Sequence, residues 1–131
     1  MYIRFITEFK NDYGEIRNGV FQAAAFLRKS EQTYEFDKHR LLEIRNWFNA
    51  NLTKPNRFSK SRKKYAATVS LSWFKDTAVE HINWMYDLKS VLEKYDIIVE
   101  VVMREDPGYI LFEDDYQVST LPYKTDREIV K

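Results

Sequence analysis

Lys54, Arg57, Lys60, Arg62, Lys63 and Lys64 set six cations in eleven consecutive positions, with Phe58 among them and Tyr65 directly after. Cations neutralise phosphates and exposed bases stack on aromatic rings. A connector of this make-up can therefore grip single-stranded nucleic acid or an RNA end. Six neutralised phosphates would make log K fall with log salt at a slope of roughly −5 on duplex DNA. The competing reading is a solvated loop, or one paired with acidic residues between 105 and 115 of its own chain or of a second copy. Surface charge more often ends that way. A net charge of +1 and a pI near 7.9 also fall short of the domain pI above about 9 usual among dedicated nucleic-acid binders. Charge is nonetheless unevenly spread: residues 44–75 hold eight basic residues and no acidic one.

Glu113, Asp114 and Asp115 are the densest carboxylates, and with Glu100 from a neighbouring strand they could hold Mg²⁺ for nuclease chemistry. Hard-metal nucleases usually set a lysine beside their acids on a strand, and no Glu-x-Lys or Asp-x-Lys triplet follows these three. A tight turn explains Asp114 and Asp115 as well, because Asp tolerates the left-handed backbone a hairpin needs. Of the two histidines, His39 sits among charged neighbours and reads as exposed. His81 falls on an apolar arc between Leu88 and Leu92, where it needs a hydrogen-bond partner and could titrate near neutrality. A general base is conceivable there. A satisfied structural histidine is the commoner outcome, since no nucleophile or second metal ligand stands at a helical spacing from it.

Other chemistries are closed. The chain has no cysteine, which removes disulfides, thiolate metal sites and a cysteine nucleophile. Three glycines cannot build a Walker or dinucleotide loop, and no Gly-x-Ser-x-Gly elbow occurs. Nothing in the sequence asks for a cofactor. The N-terminal apolar stretch is broken by Arg4 and Glu8, too early for a signal peptide, and no run of 18 apolar residues exists. A cytoplasmic protein is the expectation.

The elements that must position these residues follow from periodicity. Residues 1–9 alternate as a strand with Met1, Ile3 and Phe5 on one side. Asn11 to Gly14 is turn chemistry, and Asn18 is placed to cap a helix over 19–29. A second helix is predicted over 33–51 with Thr33 as a cap, ended by Pro55. After the basic loop of 54–65, Val69, Leu71 and Trp73 alternate with Thr68, Ser70 and Ser72 in a half-buried strand. Thr77 to Glu80 reads as a capping box opening a third helix to about Tyr95. That helix is apolar nearly all round, so it must touch the sheet and also the helical hairpin or a second subunit. Strands over 97–104, 109–112 and 116–121 complete the chain, joined by a type II turn at Pro107 and Gly108 and a turn at Asp114 and Asp115. The expected order is β-α-α-β-α-β-β-β. That is a single two-layer α+β domain over 1–131, with a mostly antiparallel sheet of about five strands and three helices on one face. The other face is expected to mix Arg4, Glu8, Glu100 and Arg104 with Thr68, Ser70 and Ser72, and residues 122–131 to fray.

Residues 19–24 (GVFQAA), 46–52 (NWFNANL), Arg57 with Phe58, 72–75 (SWFK) and 107–118 (PGYILFEDDYQV) together resemble a pattern found in a family of short uncharacterised bacterial proteins. The resemblance spans most of the chain and implies a bacterial cytosolic protein. It brings no activity, cofactor or site residue with it.

Trp47, Phe48, Trp73, Phe74, Trp84 and Tyr86 could line a ligand pocket, although such residues are more often core. They could also build an interface between copies. The expected function is therefore a small non-catalytic binding module, homodimeric or bound to another protein. Single-stranded nucleic-acid contact through 54–65 is the alternative, and a hydrolase or nuclease using His81 or the 113–115 acids is the third.

Overall fold

The computed structural model describes residues 1–54 and 70–121. Arg57, Phe58, Lys60, Arg62, Lys63, Lys64 and Tyr65 of the basic run, Thr68 and Val69 of the predicted strand, and the tail of 122–131 lie outside the described residues. Along the chain run β1 (Tyr2–Lys10), β2 (Ile16–Asn18), α1 (Val20–Lys29), α2 (Glu35–Asn51), β3 (Leu71–Lys75), α3 (Val79–Lys94), β4 (Val99–Arg104), β5 (Tyr109–Glu113) and β6 (Gln117–Leu121). Every strand pairing is antiparallel. The strands stand in the order β5, β6, β3, β1, with β4 and β2 also paired to β1. This is the α+β arrangement expected, with one strand more.

The extra strand, β2, has three residues, all exposed, and so carries no burial pattern to read. Its hairpin is set by Asn11, whose Oδ1 accepts the amides of Tyr13 and Glu15, each at 3.0 Å. Asn18 therefore ends a strand and does not cap α1. Gly19 takes that place at φ 108° with no side-chain cap bond. The φ of 108° is one that L side chains rarely adopt, so the position requires glycine on backbone grounds, whereas the nearest atom to an added Cβ, Gln22 Oε1, ends a flexible side chain that can move aside.

The two other expected caps fail for related reasons. Thr33 is buried with its hydroxyl unpaired, one residue before the true N-cap, Tyr34. The start of α2 is pinned from α3 instead. Lys94 Nζ donates to Asp37 Oδ2 at 2.8 Å, Tyr95 Oη donates to the same oxygen at 2.5 Å, and the Tyr34 amide donates to Tyr95 Oη at 3.1 Å. Thr77 makes no cap bond either, because the chain turns tightly from Lys75 to Ala78 and α3 starts from Ala78.

Ile3, Phe5, Val99 and Val101 face the helices, and the main core joins them to Ala23, Leu27, Leu41, Ile44, Phe48, Leu88 and Leu92. α3 buries Met85, Leu88 and Leu92 while Trp84 stacks on Trp47 of α2, with centroids 5.2 Å apart. Its nearly all-round apolar surface is thus shared between the sheet and the helical hairpin of the same chain.

The assignment of faces on β3 is corrected. Ile3 pairs with Phe74, which puts Phe74 and Ser72 on the helix side and turns Leu71 and Trp73 toward the face of Arg4. That far face is not the wet surface expected. Leu71, Trp73 and Val118 form a second buried cluster with Tyr2, Val102 and Ile110. Val102 comes from one side of the sheet and Ile110 from the strand at the opposite end. For both to reach one cluster the sheet must curl over Trp73. The turn between β4 and β5 helps close it, since Thr120 Oγ1 donates to the Pro107 carbonyl at 2.8 Å. Alternation sorted the residues of β3 into two faces correctly but could not say which face meets the helices, because the buried face of Leu71 and Trp73 is covered by the second cluster while Ser72 on the helix side is exposed.

The clamp on α2 predicts an acid response. The hydrogen bonds from Lys94 and then Tyr95 hold the Asp37 carboxyl below its ordinary range. A depressed carboxyl stabilises the fold above its unfolded pKa, near 3.9, and that stability is lost as pH falls through the lower folded value. The melting temperature of the native chain is expected to fall more steeply than that of Asp37→Asn between about pH 4 and 2. Parallel acid limbs in a thermal scan series would refute the clamp.

Candidate anion pocket at the fork between β1 and β3

β1 meets β3 only at Tyr2 and Ile3, and meets β2 only from Glu8 onward. Between them part of one edge of β1 has no strand beside it among the described residues. Strand alternation identifies that edge. The Met1 carbonyl accepts the Asp76 amide at 3.2 Å just past β3, and the Thr7 carbonyl accepts the Gly19 amide at 3.2 Å just past β2. Odd-numbered residues of β1 therefore direct their backbone groups to this side, and Phe5 points its amide and carbonyl into the gap.

A cavity of about 500 Å³ opens at this fork. Its floor is β1 and β3, its walls are the start of α1 and the end of α2, and Phe5, Phe48, Trp73 and Phe74 give it apolar surface. Arg4, Arg45 and Lys54 also line it, and no carboxylate does so among the described residues. α1 begins at the rim with no acidic residue in its first turn and no side-chain cap, leaving the positive end of the helix uncompensated.

Two of the lining residues also carry buried donors without acceptors. Arg4 Nη1 donates to the Ser72 carbonyl at 2.8 Å, bridging the strands where their ladder stops, but Arg4 Nε is shielded from water and unpaired. Burial lowers the Arg4 pKa to about 10, so the guanidinium is still charged at neutral pH. Trp73, 2% exposed, leaves Nε1 unpaired as well. A buried cation with no carboxylate beside it among the described residues and an unsatisfied indole N–H are each unfavourable.

The rim carrying Lys54 is held by residues that the sequence offered for catalysis. His81 Nε2 donates to the Asn51 carbonyl at 2.8 Å, and its ring stacks on Tyr116 at 4.4 Å and meets Trp47 edge-on at 4.8 Å. Gln117 Nε2 donates to the Thr53 carbonyl at 2.5 Å and to Asp114 Oδ2 at 3.1 Å. Asp114 Oδ1 accepts the amides of Tyr116 and Gln117 at 2.8 and 3.0 Å. Asp114 thus organises the β5–β6 turn and orients Gln117, which with His81 fixes the exit of α2. Glu113 pairs with Lys75 at 2.7 Å, and that pairing raises the lysine's pKa. Asp115 and His39 are exposed. The three acids do not converge, and among the described residues no group of three or more His, Asp or Glu could hold a metal.

Of the predicted basic site, Lys54 alone falls among the described residues, and it lines the pocket. Arg4 and Arg45 were not singled out. The available signal was Arg4 itself, a cation inside the apolar run Ile3 to Ile6. Arg45 sits near the end of an ordinary amphipathic helix and carries no local signal. No family model matches the chain, and neither a curated protein nor a solved structure does.

His81→Ala is expected to destabilise the fold by about 2–3 kcal/mol through a lost ring and an orphaned carbonyl. Urea unfolding measures this. An unchanged midpoint would show that the histidine does not hold the α2 exit.

Proposed function

We propose that the protein is a small non-catalytic binding module whose fork pocket takes an anion carried on an apolar or aromatic body. The observation that carries this reading is the conjunction of Arg4, Arg45 and Lys54 in one cavity that no described carboxylate lines. A phosphate or carboxylate would answer the cations, and an attached ring or chain would cover the phenylalanines. Against catalysis stand the occupied roles of His81 in bonding Asn51 and of Asp114 in bonding Gln117. A single strand of nucleic acid is the second reading, favoured by Lys54, which both lines the pocket and begins the cationic run. Such a strand supplies phosphates and stacking rings together. We take the site of action to be the cytoplasm and the working form to be a homodimer.

Calorimetric titration with inorganic phosphate, phenyl phosphate and a short labelled oligonucleotide tests this. Phenyl phosphate is expected to bind about tenfold tighter than phosphate, the ring adding buried apolar surface. The double change Arg45→Gln with Lys54→Gln, at two exposed positions, is expected to weaken both without lowering the melting temperature. Oligonucleotide binding that falls steeply with salt selects the second reading. No binding of any of the three at low salt, or binding indifferent to the double change, would overturn the pocket as the site.

A further inference from the structure

The sheet has two different ends. β5 is irregular, with a register shift between Ile110 and Phe112, a device that blunts an edge against further pairing. β4 pairs with β1 over six successive residues without a shift, and among the described residues it has no strand on its other side. Ile98 and Met103 are 64% and 50% exposed along it.

The direction of its free backbone groups can be read. The Val99 amide donates to Glu93 Oε2 at 3.2 Å, and the Val99 carbonyl accepts Lys89 Nζ at 3.0 Å, so Val99 points away from β1. By alternation Val101 and Met103 point the same way. α3 therefore caps the edge at Val99 and leaves the amides and carbonyls of Val101 and Met103 directed outward beyond it.

We propose that two copies of this chain join edge to edge through antiparallel β4 strands, about a two-fold axis at Val102. Three registers keep Val101 and Met103 in hydrogen-bonded positions and preserve the faces of the sheet. An axis at Val101 pairs Met103 with Val99 of the second copy, whose backbone groups are already taken by Lys89 and Glu93. An axis at Met103 sets Glu100 against Asp106, like charge on like. The axis at Val102 pairs Val101 with Met103 through four backbone bonds and sets Glu100 directly across from Arg104, twice. Opposite charges in directly facing positions select this register, because facing like charges are unfavourable. The pairing extends one continuous sheet through both copies and covers the exposed row at Met103. It does not depend on the anion pocket, which lies on the opposite edge of β1.

Sedimentation velocity on the full chain tests the proposal with Glu100→Arg, Arg104→Glu, the two combined on one chain, and an equimolar mixture of the single variants. Circular dichroism checks that each is folded. The native chain is expected to dimerise at tens of micromolar, and each single variant to weaken self-association about tenfold or more. The combined variant, and the mixture as a heterodimer, are expected to recover most of it, because each restores both Glu–Arg pairs. A native chain that stays monomeric to about half-millimolar, a dimer indifferent to the single changes, or a failure of both rescues would overturn it.

Discussion

Two strands that part company after two residues organise this protein. β3 leaves β1 beyond Ile3 and Phe74, and the consequences run in both directions from that point. On the far side, β3 carries β6 and β5 round until Ile110 and Val102 both pack against the cluster of Leu71, Trp73 and Val118. On the near side, the separation leaves an opening that neither β2 nor the helices fill. Arg4 stands where the ladder stops, and its bond to the Ser72 carbonyl substitutes one side-chain contact for the backbone pairing that the strands abandon. A guanidinium in that place brings a positive charge into a partly apolar site. The fold thus builds a cavity and charges it by the same step.

The second determinant is the fixing of the α2 exit. A helix end next to a long polar connector would fray without partners. Here the Asn51 and Thr53 carbonyls are each claimed by a side chain from a distant element, His81 and Gln117. Gln117 in turn is oriented by Asp114. Arg45 and Lys54 consequently enter the pocket from a rigid rim. The opposite end of α2 is tied down through Asp37, Lys94 and Tyr95, so the helix that supplies Arg45 and leads into Lys54 is anchored at both termini.

The strands and helices were legible because period and punctuation agree along most of the chain. Leu71 to Trp73 and Val99 to Met103 alternate, Gly108 takes the positive φ of 109° between β4 and β5, and α3 shows a helical stripe. What the residues could not reveal was which sheet face the helices cover. That depends on what covers each side of the sheet, and the apolar face of β3 is buried by a cluster separate from the helical core. Cap positions failed where tertiary bonds replaced local ones, as at Thr33 beside the Asp37 clamp. Of the site, the cationic bias of residues 44–75 was visible, and Lys54 and Arg45 both belong to it. The contribution of Arg4 was hidden, because only the fork brings a residue near the N-terminus beside the end of α2. His81, Glu113 and Asp114 were conspicuous for their chemistry, yet their bonds are structural.

The account rests on Arg4, Arg45 and Lys54 at the fork being the place where an anion is received. The most direct measurement follows the Trp73 indole and Arg4 Nε proton resonances during a titration with phenyl phosphate, using selective labels at these two residues. The account predicts that both signals move together and saturate with a single dissociation constant, while the Trp47 indole across the helix layer stays in place. Binding that leaves both resonances unmoved, or shifts Trp47 instead, would contradict it.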